Sequence, residues 1–237
     1  MQRYFAKAKE GQAFILKDSD LHHIKQVMRM KEGTTIEVVY NNLVYECRIN
    51  TINPFTLEII KQLEINTELK TKVILAVALV KEQKFDMILQ KATELGVSTI
   101  IPIKMDRSIV KLSDDKIEKK LQRWNTICKE AAEQSFRNTV PTVHNPITIK
   151  ELSQIESDLK LMCSVNTSHK NLKTYLQNKN CYDKILLVIG PEGGISPREE
   201  EYLIHNNFNS VSLGKRVLRV ETACFYACSI ISYEVEQ

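Results

Sequence analysis

The sequence predicts an α/β protein in which a small β-barrel, residues 1–67, precedes a domain built on a parallel sheet, residues 68–237. Several short strand-like segments occupy the first 67 residues. The run 73–79 is apolar at every position, as in strands buried on both faces, and strand-like and helix-like segments alternate after it. With 237 residues, of which 43% are hydrophobic and 26% charged, the chain can bury a core of its own.

A β-hairpin is the clearest element of the first domain. Residues 35–40 and 43–49 are strand-like and flank Asn41 and Asn42. Because asparagine tolerates the positive φ that a two-residue hairpin turn requires, this pair predicts the turn. Further strands are expected at residues 3–5, 13–16 and 55–60.

An amphipathic helix is expected between two of these strands, with Ser19 or Asp20 as its cap. Its predicted apolar face consists of Leu21, Ile24, Val27 and Met28, and its cationic face of His22, Lys25 and Arg29. Two interpretations of the cationic face stay open. Lys25 and Arg29 contact the phosphates of a nucleic acid, or they belong to an ordinary solvated surface.

The second domain is predicted from the alternation of strands and helices. After the strand 73–79, a helix ends at Gly96 and a strand follows at 99–103. A longer helix is expected from Asp114 onward, and further strands at 159–165 and 184–189. This order is typical of a parallel sheet covered by helices.

A glycine-rich turn at residues 190–194 is the most informative local motif. Ser196 is expected to cap the next helix, with Pro197 at its first position and Glu199 completing a capping box. Such a turn exposes backbone groups at the carboxyl end of a parallel strand, where α/β sheets bind ligands. The alternative is a tight connection that binds nothing. No Gly-Lys-Ser/Thr follows and the pattern is not GxGxxG, which argues against a Walker phosphate loop and a dinucleotide site.

A second candidate loop lies close behind the first. Residues 210–213 are strand-like, residues 214–219 contain three cations, and Glu221 stands at the start of a terminal helix.

Composition excludes several classes of protein. The six cysteines show no CxxC pair and no zinc-type spacing, so we expect reduced thiols and no metal site. No apolar run approaches the roughly twenty residues of a membrane-spanning helix. The first residues carry charges too early for a signal peptide, so we expect a cytoplasmic protein. The net charge of +4 is mild, so a surface for nucleic acid must be local.

Several motifs together resemble one family. The strings IGPEGGISPREEE and LGKRVLRVETA, with HHIKQVMRMKEG, KATELGVSTIIPI and EAAEQSFRNTVP before them, closely resemble the bacterial 16S ribosomal RNA uridine-N3 methyltransferases of the SPOUT superfamily. The resemblance covers the whole chain. One departure is Phe136, where the family pattern has a small residue, often glycine.

The resemblance implies a fold and a cofactor. The C-terminal domain would be a SPOUT parallel sheet with a deep trefoil knot, the N-terminal domain a PUA-like barrel that presents RNA, and the active form a homodimer. S-adenosylmethionine would lie in the knot. The implied cofactor-binding residues are Ser164, Val165, Asn166, Ile189, Gly190, Pro191, Glu192, Gly193, Gly194, Leu213, Gly214, Val217, Leu218, Arg219 and Thr222.

The implied reaction suggests roles for individual residues. Removing the N3 proton of uracil puts negative charge on the flanking carbonyl oxygens, and Arg219 is the candidate that stabilises it. Glu192 and Glu221 are candidate proton acceptors, although either could instead cap a helix or pair with Lys215 or Arg216. The candidates for RNA binding are Lys25, Arg29, Arg107 and Arg137; Glu133 and Arg137 have ion-pair spacing.

Two other functions remain open from the sequence. The chain could bind ribosomal RNA without methylating it, or it could methylate a ribose 2′-hydroxyl. The intact glycine turn argues against the first, and an N-terminal barrel in place of another appended module argues against the second. The mild charge favours the assembled small subunit over naked RNA as the substrate.

Overall fold

The structure, a computed structural model, describes residues 1–11, 13–165, 170–177 and 182–236. Contacts divide the chain into two compact units. Unit 1 comprises Met1–Glu68 and Ala132–Thr139, and unit 2 comprises Leu69–Ala131 and Val140–Gln237. The sequence analysis assigned residues 132–139 to the second domain, whereas their contacts place them in unit 1.

Unit 1 is built mainly from short strands. Its elements are β1 (Arg3–Phe5), β2 (Ala8–Glu10), β3 (Ala13–Ile15), α1 (Asp18–His22), a π-helix (His23–Val27), β4 (Thr35–Tyr40), β5 (Leu43–Ile52) and β6 (Phe55–Leu63). Four strands form a sheet in the order β1-β4-β5-β6, and β2 pairs with β3. The predicted hairpin is confirmed, since Asn41 and Asn42 join β4 to β5 with φ of 50° and 64°. The described strands pair as a sheet and a separate hairpin, not as one closed barrel.

The helix of unit 1 differs from its prediction at both ends. It begins at Asp18 after Lys17, so the expected cap at Ser19 or Asp20 is wrong. The chain then continues as a π-helix, in which the N–H of Met28 bonds to the carbonyl of His23, five residues back. This wider turn breaks the helical spacing, and Val27 and Met28, expected in the core, are 59% and 41% exposed. Ile24 keeps its predicted place in the core.

Unit 2 is an α/β domain, as predicted. Its elements are β7 (Lys72–Ala78), α2 (Glu82–Glu94), β8 (Thr99–Lys104), a 3₁₀ turn (Asp114–Lys116), α3 (Ile117–Gln134, whose last turn belongs to unit 1), β9 (Thr142–Val143), β10 (Ile147–Thr148), α4 (Ile149–Ser153), β11 (Leu159–Ser164), α5 (Leu172–Leu176), β12 (Lys184–Ile189), α6 (Pro197–His205), β13 (Asn209–Ser212) and α7 (Val220–Val235). The sheet runs β10-β8-β7-β12-β11-β13, with β9 beside β8. Its strand pairs are parallel.

The core of unit 2 has two layers, one on each face of the sheet. Alternate residues of the central strands enter one layer or the other: Leu75 and Leu187 face one, and Ala76 and Leu186 face the other. This explains why β7 and β12 read as continuous apolar runs. All six parallel pairings bring strand carboxyl ends to one edge, which is where the candidate site lies.

The described part of the chain contains no helix that is long and apolar enough to cross a membrane. Within the same residues, no three side chains of the metal-ligating types stand together. Five cysteines are described, all as free thiols: Cys47, Cys128, Cys163, Cys224 and Cys228.

Candidate functional site

A cleft of about 100 Å³ opens at the carboxyl ends of β11 and β12 in unit 2. Three stretches of chain form its walls: the end of β11, the glycine turn after β12, and the loop that joins β13 to α7. They bring together ten of the residues predicted to bind the cofactor. These are Ser164, Val165, Ile189, Gly190, Pro191, Gly194, Leu213, Gly214, Val217 and Leu218.

Other predicted cofactor residues lie elsewhere. The lining of this cleft does not include Glu192, Gly193, Arg219 or Thr222. Thr222 faces a different groove along α7, and Asn166 lies outside the described residues. The wall at 213–218 is the most open one, since Val217 is 83% exposed.

The prediction missed several residues that line the cleft: Cys163, Ile195, Glu200, Arg216, Val220 and Ala223. Ile195 directly follows the glycine turn 190–194 and Arg216 stands inside the loop 214–219, so including every residue of each loop and its flanks would have found them. Cys163 carried no such signal, because it reads as an ordinary core residue of a strand. Burial raises the pKa of the Cys163 thiol, with a smaller contribution from Cys228, which keeps it protonated.

The glycine turn is held by its own sequence and by Arg107. Ser196, Pro197 and Glu199 form the predicted cap and capping box of α6. A guanidinium nitrogen of Arg107, Nη1, donates to the carbonyl oxygen of Gly193 at 2.9 Å. A Cβ at Gly193 would lie 3.3 Å from Cβ of Arg107, so a larger residue there would press on Arg107 first.

Gly190 is the glycine that the cleft itself requires. A Cβ on Gly190 would lie 2.7 Å from Cγ1 and 3.1 Å from the backbone nitrogen of Ile195. Both residues line the cleft. Gly194, with φ of 73°, supplies the left-handed conformation that closes the turn. The turn therefore depends on glycine for close approach at one position and for conformation at another.

Arg219 stands at the junction of the second loop and α7. It is the N-cap residue of α7 and is exposed, and its side chain makes no cap hydrogen bond. Exposed cations also occupy positions 215 and 216 of this loop. The loop therefore presents positive charge beside the cleft.

Glu192 and Glu221 meet at one lysine, Lys84, near the start of α2. Nζ of Lys84 lies 3.1 Å from Oε1 of Glu192 and 3.9 Å from Oε2 of Glu221. The sequence analysis considered Lys215 and Arg216 as partners for these carboxylates and missed Lys84, which is more than 100 residues away along the chain from Glu192.

The two carboxylates differ in their surroundings. Burial alone would raise the pKa of Glu192, but its own backbone N–H, Lys84 and Lys81 stabilise the anion and lower the pKa overall. Oε2 of Glu221 is buried and accepts no hydrogen bond from the described residues. Glu192 is thus a bonded anion, whereas Glu221 offers an acceptor oxygen without a hydrogen bond.

Three of the predicted RNA-binding residues are accessible, two in unit 1 and one in unit 2. Lys25 of unit 1 donates to Oδ1 of Asn53 at 2.9 Å and is half-buried, and Arg29 is exposed with φ of 48°. Arg107 of unit 2 is exposed, with one nitrogen engaged by the glycine turn. Their role in RNA binding stays a prediction.

Arg137 was predicted to bind RNA, but the structure places it inside unit 1. Only 3% of it is exposed, and its guanidinium pairs with the carboxylate of Glu68 within unit 1. Glu68 also accepts from the backbone N–H groups of Asn138 at 2.8 Å and Thr139 at 3.0 Å. A guanidinium so enclosed cannot meet a phosphate, so Arg137 has a structural role.

A second groove, of about 810 Å³, runs along the outer face of α7. Tyr226 and Tyr233 on this face are 44% and 66% exposed, and Phe225 and Ile230 also line the groove. Leu213 and Gly214 line both this groove and the cleft. The groove therefore adjoins the second loop of the candidate site.

Comparison with known proteins agrees with this architecture. The sequence profile of an RNA methyltransferase domain matches residues 67–232, and that of an RNA methyltransferase PUA domain matches residues 16–61. The crystal structure of a ribosomal RNA small subunit methyltransferase E from Neisseria gonorrhoeae, bound to S-adenosyl methionine, superposes with a TM-score of 0.88 at 28% identity, covering 98% of this chain and 97% of that one.

Two further proteins are more similar in sequence. A Legionella pneumophila protein, whose structure holds the bound cofactor SAM, is 31% identical with a TM-score of 0.89, covering 98% of this chain and 96% of that one. The ribosomal RNA small subunit methyltransferase E of Bacillus subtilis is 37% identical over 100% of this chain and 98% of its own length. With this identity over its full length, the chain belongs to the ribosomal RNA small subunit methyltransferase E family.

Proposed function

We propose that this protein transfers a methyl group from S-adenosylmethionine to N3 of one uridine in small-subunit ribosomal RNA. The observation that carries the proposal is the cleft formed by three loops at the carboxyl edge of the parallel sheet. Proteins that are similar to this chain over its full length are named ribosomal RNA small subunit methyltransferase E. Two similar structures contain bound S-adenosylmethionine. The catalytic domain is proposed to span residues 68–237 and the RNA-binding domain residues 1–67.

The cleft suits an adenosyl ligand in its chemistry. The glycine turn and the loop 213–218 line it, and glycine at position 190 avoids a collision with Ile195, which also lines it. Ligand pockets commonly measure about 300–1,000 Å³. The walls of the cleft must therefore move apart, so that its volume increases from the present 100 Å³ when the cofactor binds. Val217, in the wall formed by the loop 213–218, is 83% exposed, so little packs against its side chain. When bound, S-adenosylmethionine supplies an electrophilic methyl group.

The proposed fold of the catalytic domain includes a deep trefoil knot. The support is topological: β13 pairs with the far side of β11, yet α7, which follows it, packs against α2 and β12. The chain therefore returns across β11 through residues 213–219. In the proposed knot this return passes through a loop of the chain, which departs from the usual rule for chain connections.

The reacting base needs a proton acceptor and a group that stabilises charge. Arg219 is proposed to stabilise the negative charge that develops on the uracil oxygens, because its guanidinium is exposed beside the cleft and makes no cap bond. Either Glu192 or Glu221 is proposed to accept the N3 proton. N3 lies on the Watson–Crick edge, so the uridine must be unpaired or flipped out of its helix.

Lys25, Arg29 and Arg107 are proposed to contact RNA phosphates. The net charge of +4 gives little non-specific attraction to RNA. The shape of the assembled small subunit is therefore proposed to position the enzyme.

The active form is proposed to be a homodimer. The exposed aromatic face of α7 supports this, because Tyr226 and Tyr233 would be covered by a second copy. Tyr233→Asp should then convert the dimer to a monomer in light scattering, whereas wild type that is monomeric at micromolar concentration would contradict the proposal.

The deciding experiment treats small subunits that lack the modification with the protein and S-adenosylmethionine. A methyl on N3 blocks pairing, so primer extension should stop at one new site, and mass analysis should find N3-methyluridine. A methylated ribose, or cofactor binding with no RNA product, would contradict the proposal. The first result would favour a ribose methyltransferase, and the second a non-catalytic RNA-binding protein.

A further inference from the structure

We propose that Lys84 is a positioning residue, which keeps Glu192 as its counter-ion on the glycine turn and leaves Oε2 of Glu221 as the acceptor for the proton of the target base. The inference rests on the proposed function, because it concerns how the same site removes a proton. It adds a residue, Lys84, that the motifs of the two loops do not contain.

One ammonium group links the glycine turn to the first turn of α7, both of which adjoin the cleft. Glu192 belongs to the glycine turn, and Glu221 to the first turn of α7, directly after the loop 213–219. Lys84 is on α2, outside both loops, and reaches the two carboxylates at 3.1 Å and 3.9 Å. Because a single nitrogen approaches both, it ties the glycine turn to the start of α7.

The two carboxylates are not equivalent partners. Nζ of Lys84 donates a hydrogen bond to Glu192, whose side chain is 31% exposed. The side chain of Glu221 is 14% exposed. Its Oε2 lies 3.9 Å from the ammonium of Lys84 but accepts no hydrogen bond from the described residues. A buried carboxylate oxygen that accepts no hydrogen bond costs folding free energy, and it readily accepts a hydrogen bond from a donor that reaches it.

The proton step can be written for Glu221 alone. The N3–H bond of the uracil breaks, its electron pair stays on N3, and the proton passes to Oε2 of Glu221. The anion on the base is then stabilised by Arg219, and the carboxylic acid returns its proton to water after the reaction. Glu192 takes no part in this step, since its Oε1 stays bonded to Lys84.

The first arm of the test measures affinity for S-adenosylmethionine by calorimetry in the full-length protein. Lys84→Met should weaken binding about tenfold, because loss of a charged hydrogen bond frees the glycine turn. Lys84→Arg, which keeps the cation, should restore most of it. Glu192→Gln should match Lys84→Met, and the double variant should be no weaker.

Lys91→Met is the matched control, because Lys91 is on the same helix and pairs with Glu94 away from the cleft. Its affinity and its unfolding temperature should equal those of wild type. If Lys84→Met bound the cofactor as tightly as this control, the positioning role would be overturned. A Lys84→Arg protein that folds but binds as weakly as Lys84→Met would overturn it as well.

The second arm measures single-turnover methyl transfer to small subunits. Glu221→Gln should bind the cofactor normally and slow transfer by about a hundredfold or more. Near-normal transfer in Glu221→Gln, or slow transfer with normal affinity in Glu192→Gln, would overturn the assignment. If wild type binds the cofactor but methylates no RNA, the proposed function and the role of Glu221 fall together, while the affinity arm still decides the role of Lys84.

Discussion

Gly190→Ala tests whether the glycine turn needs its close approach to Ile195. The added Cβ would lie 2.7 Å from Cγ1 of Ile195, whereas carbon atoms pack best at about 3.5–4.0 Å. One of the two residues must therefore move by about 1 Å. Overpacking of this kind costs about 1–3 kcal/mol. Because both residues line the cleft, we expect the cost to appear as an affinity for S-adenosylmethionine that is lower by roughly tenfold or more.

The design isolates the clash with a second substitution. Ile195→Ala removes Cγ1, so the double variant should recover part of the affinity that Gly190→Ala loses, measured by calorimetry. Gly214→Ala is the control: no atom lies within 4 Å of a Cβ there, and its strain comes from a φ of 112°. The change in binding free energy caused by Gly214→Ala should add to the change caused by Ile195→Ala. Equal affinity in Gly190→Ala and wild type, or no recovery in the double variant, would refute the reasoning.

Three further predictions concern other parts of the protein. Arg219→Ala should lower turnover by roughly a hundredfold with little change in cofactor affinity, as single-turnover and calorimetric measurements would show. Exchanging Lys25 and Arg29 together for glutamate should weaken RNA binding across sequences. It should also reduce the slope of log affinity against log salt concentration by about two. An unchanged slope would mean that both residues belong to an ordinary solvated surface. Glu68→Gln should destabilise the fold by about 3 kcal/mol, because it leaves the buried Arg137 without a counter-charge. Burial alone would raise the pKa of Glu68, but Arg137 and the backbone N–H of Asn138 lower it overall. The stability that the pair contributes is therefore complete above the ordinary glutamate pKa and is lost as the pH falls through the lowered pKa. Urea titrations at several pH values would detect this loss.

The parts of the fold that were predicted correctly depend on local chemistry. Ser196 and Glu199 satisfy each other's backbone groups within one helical turn, so sequence alone contains the whole interaction. The hairpin at Asn41 and Asn42 is local in the same way. Continuous apolar runs likewise identify strands buried on both faces, whatever their neighbours.

The parts that were missed depend on partners far away in sequence or on small changes of helical pitch. Lys84 reaches Glu192 across more than 100 residues, and no spacing rule joins them. The π-helix at His23–Val27 turned Val27 and Met28 out of the core, although their spacing fits an α-helix. The spacing of Glu133 and Arg137 suggested an ion pair, but spacing could not reveal Glu68, which pairs with Arg137 and precedes it by 69 residues.

The departure at Phe136 is explained by backbone conformation. Its φ is 57°, in the left-handed region where glycine is favoured, and it follows the end of α3. The N–H of Arg137 bonds to the carbonyl of Ala132 and that of Phe136 to Glu133, which is the pairing of a Schellman motif. A small residue at this position therefore suits the end of the helix. Phenylalanine is accommodated there, with the centre of its ring 5.3 Å from the guanidinium of Arg3, which also donates to the Phe136 carbonyl. The segment EQSFRN thus makes structural contacts within unit 1.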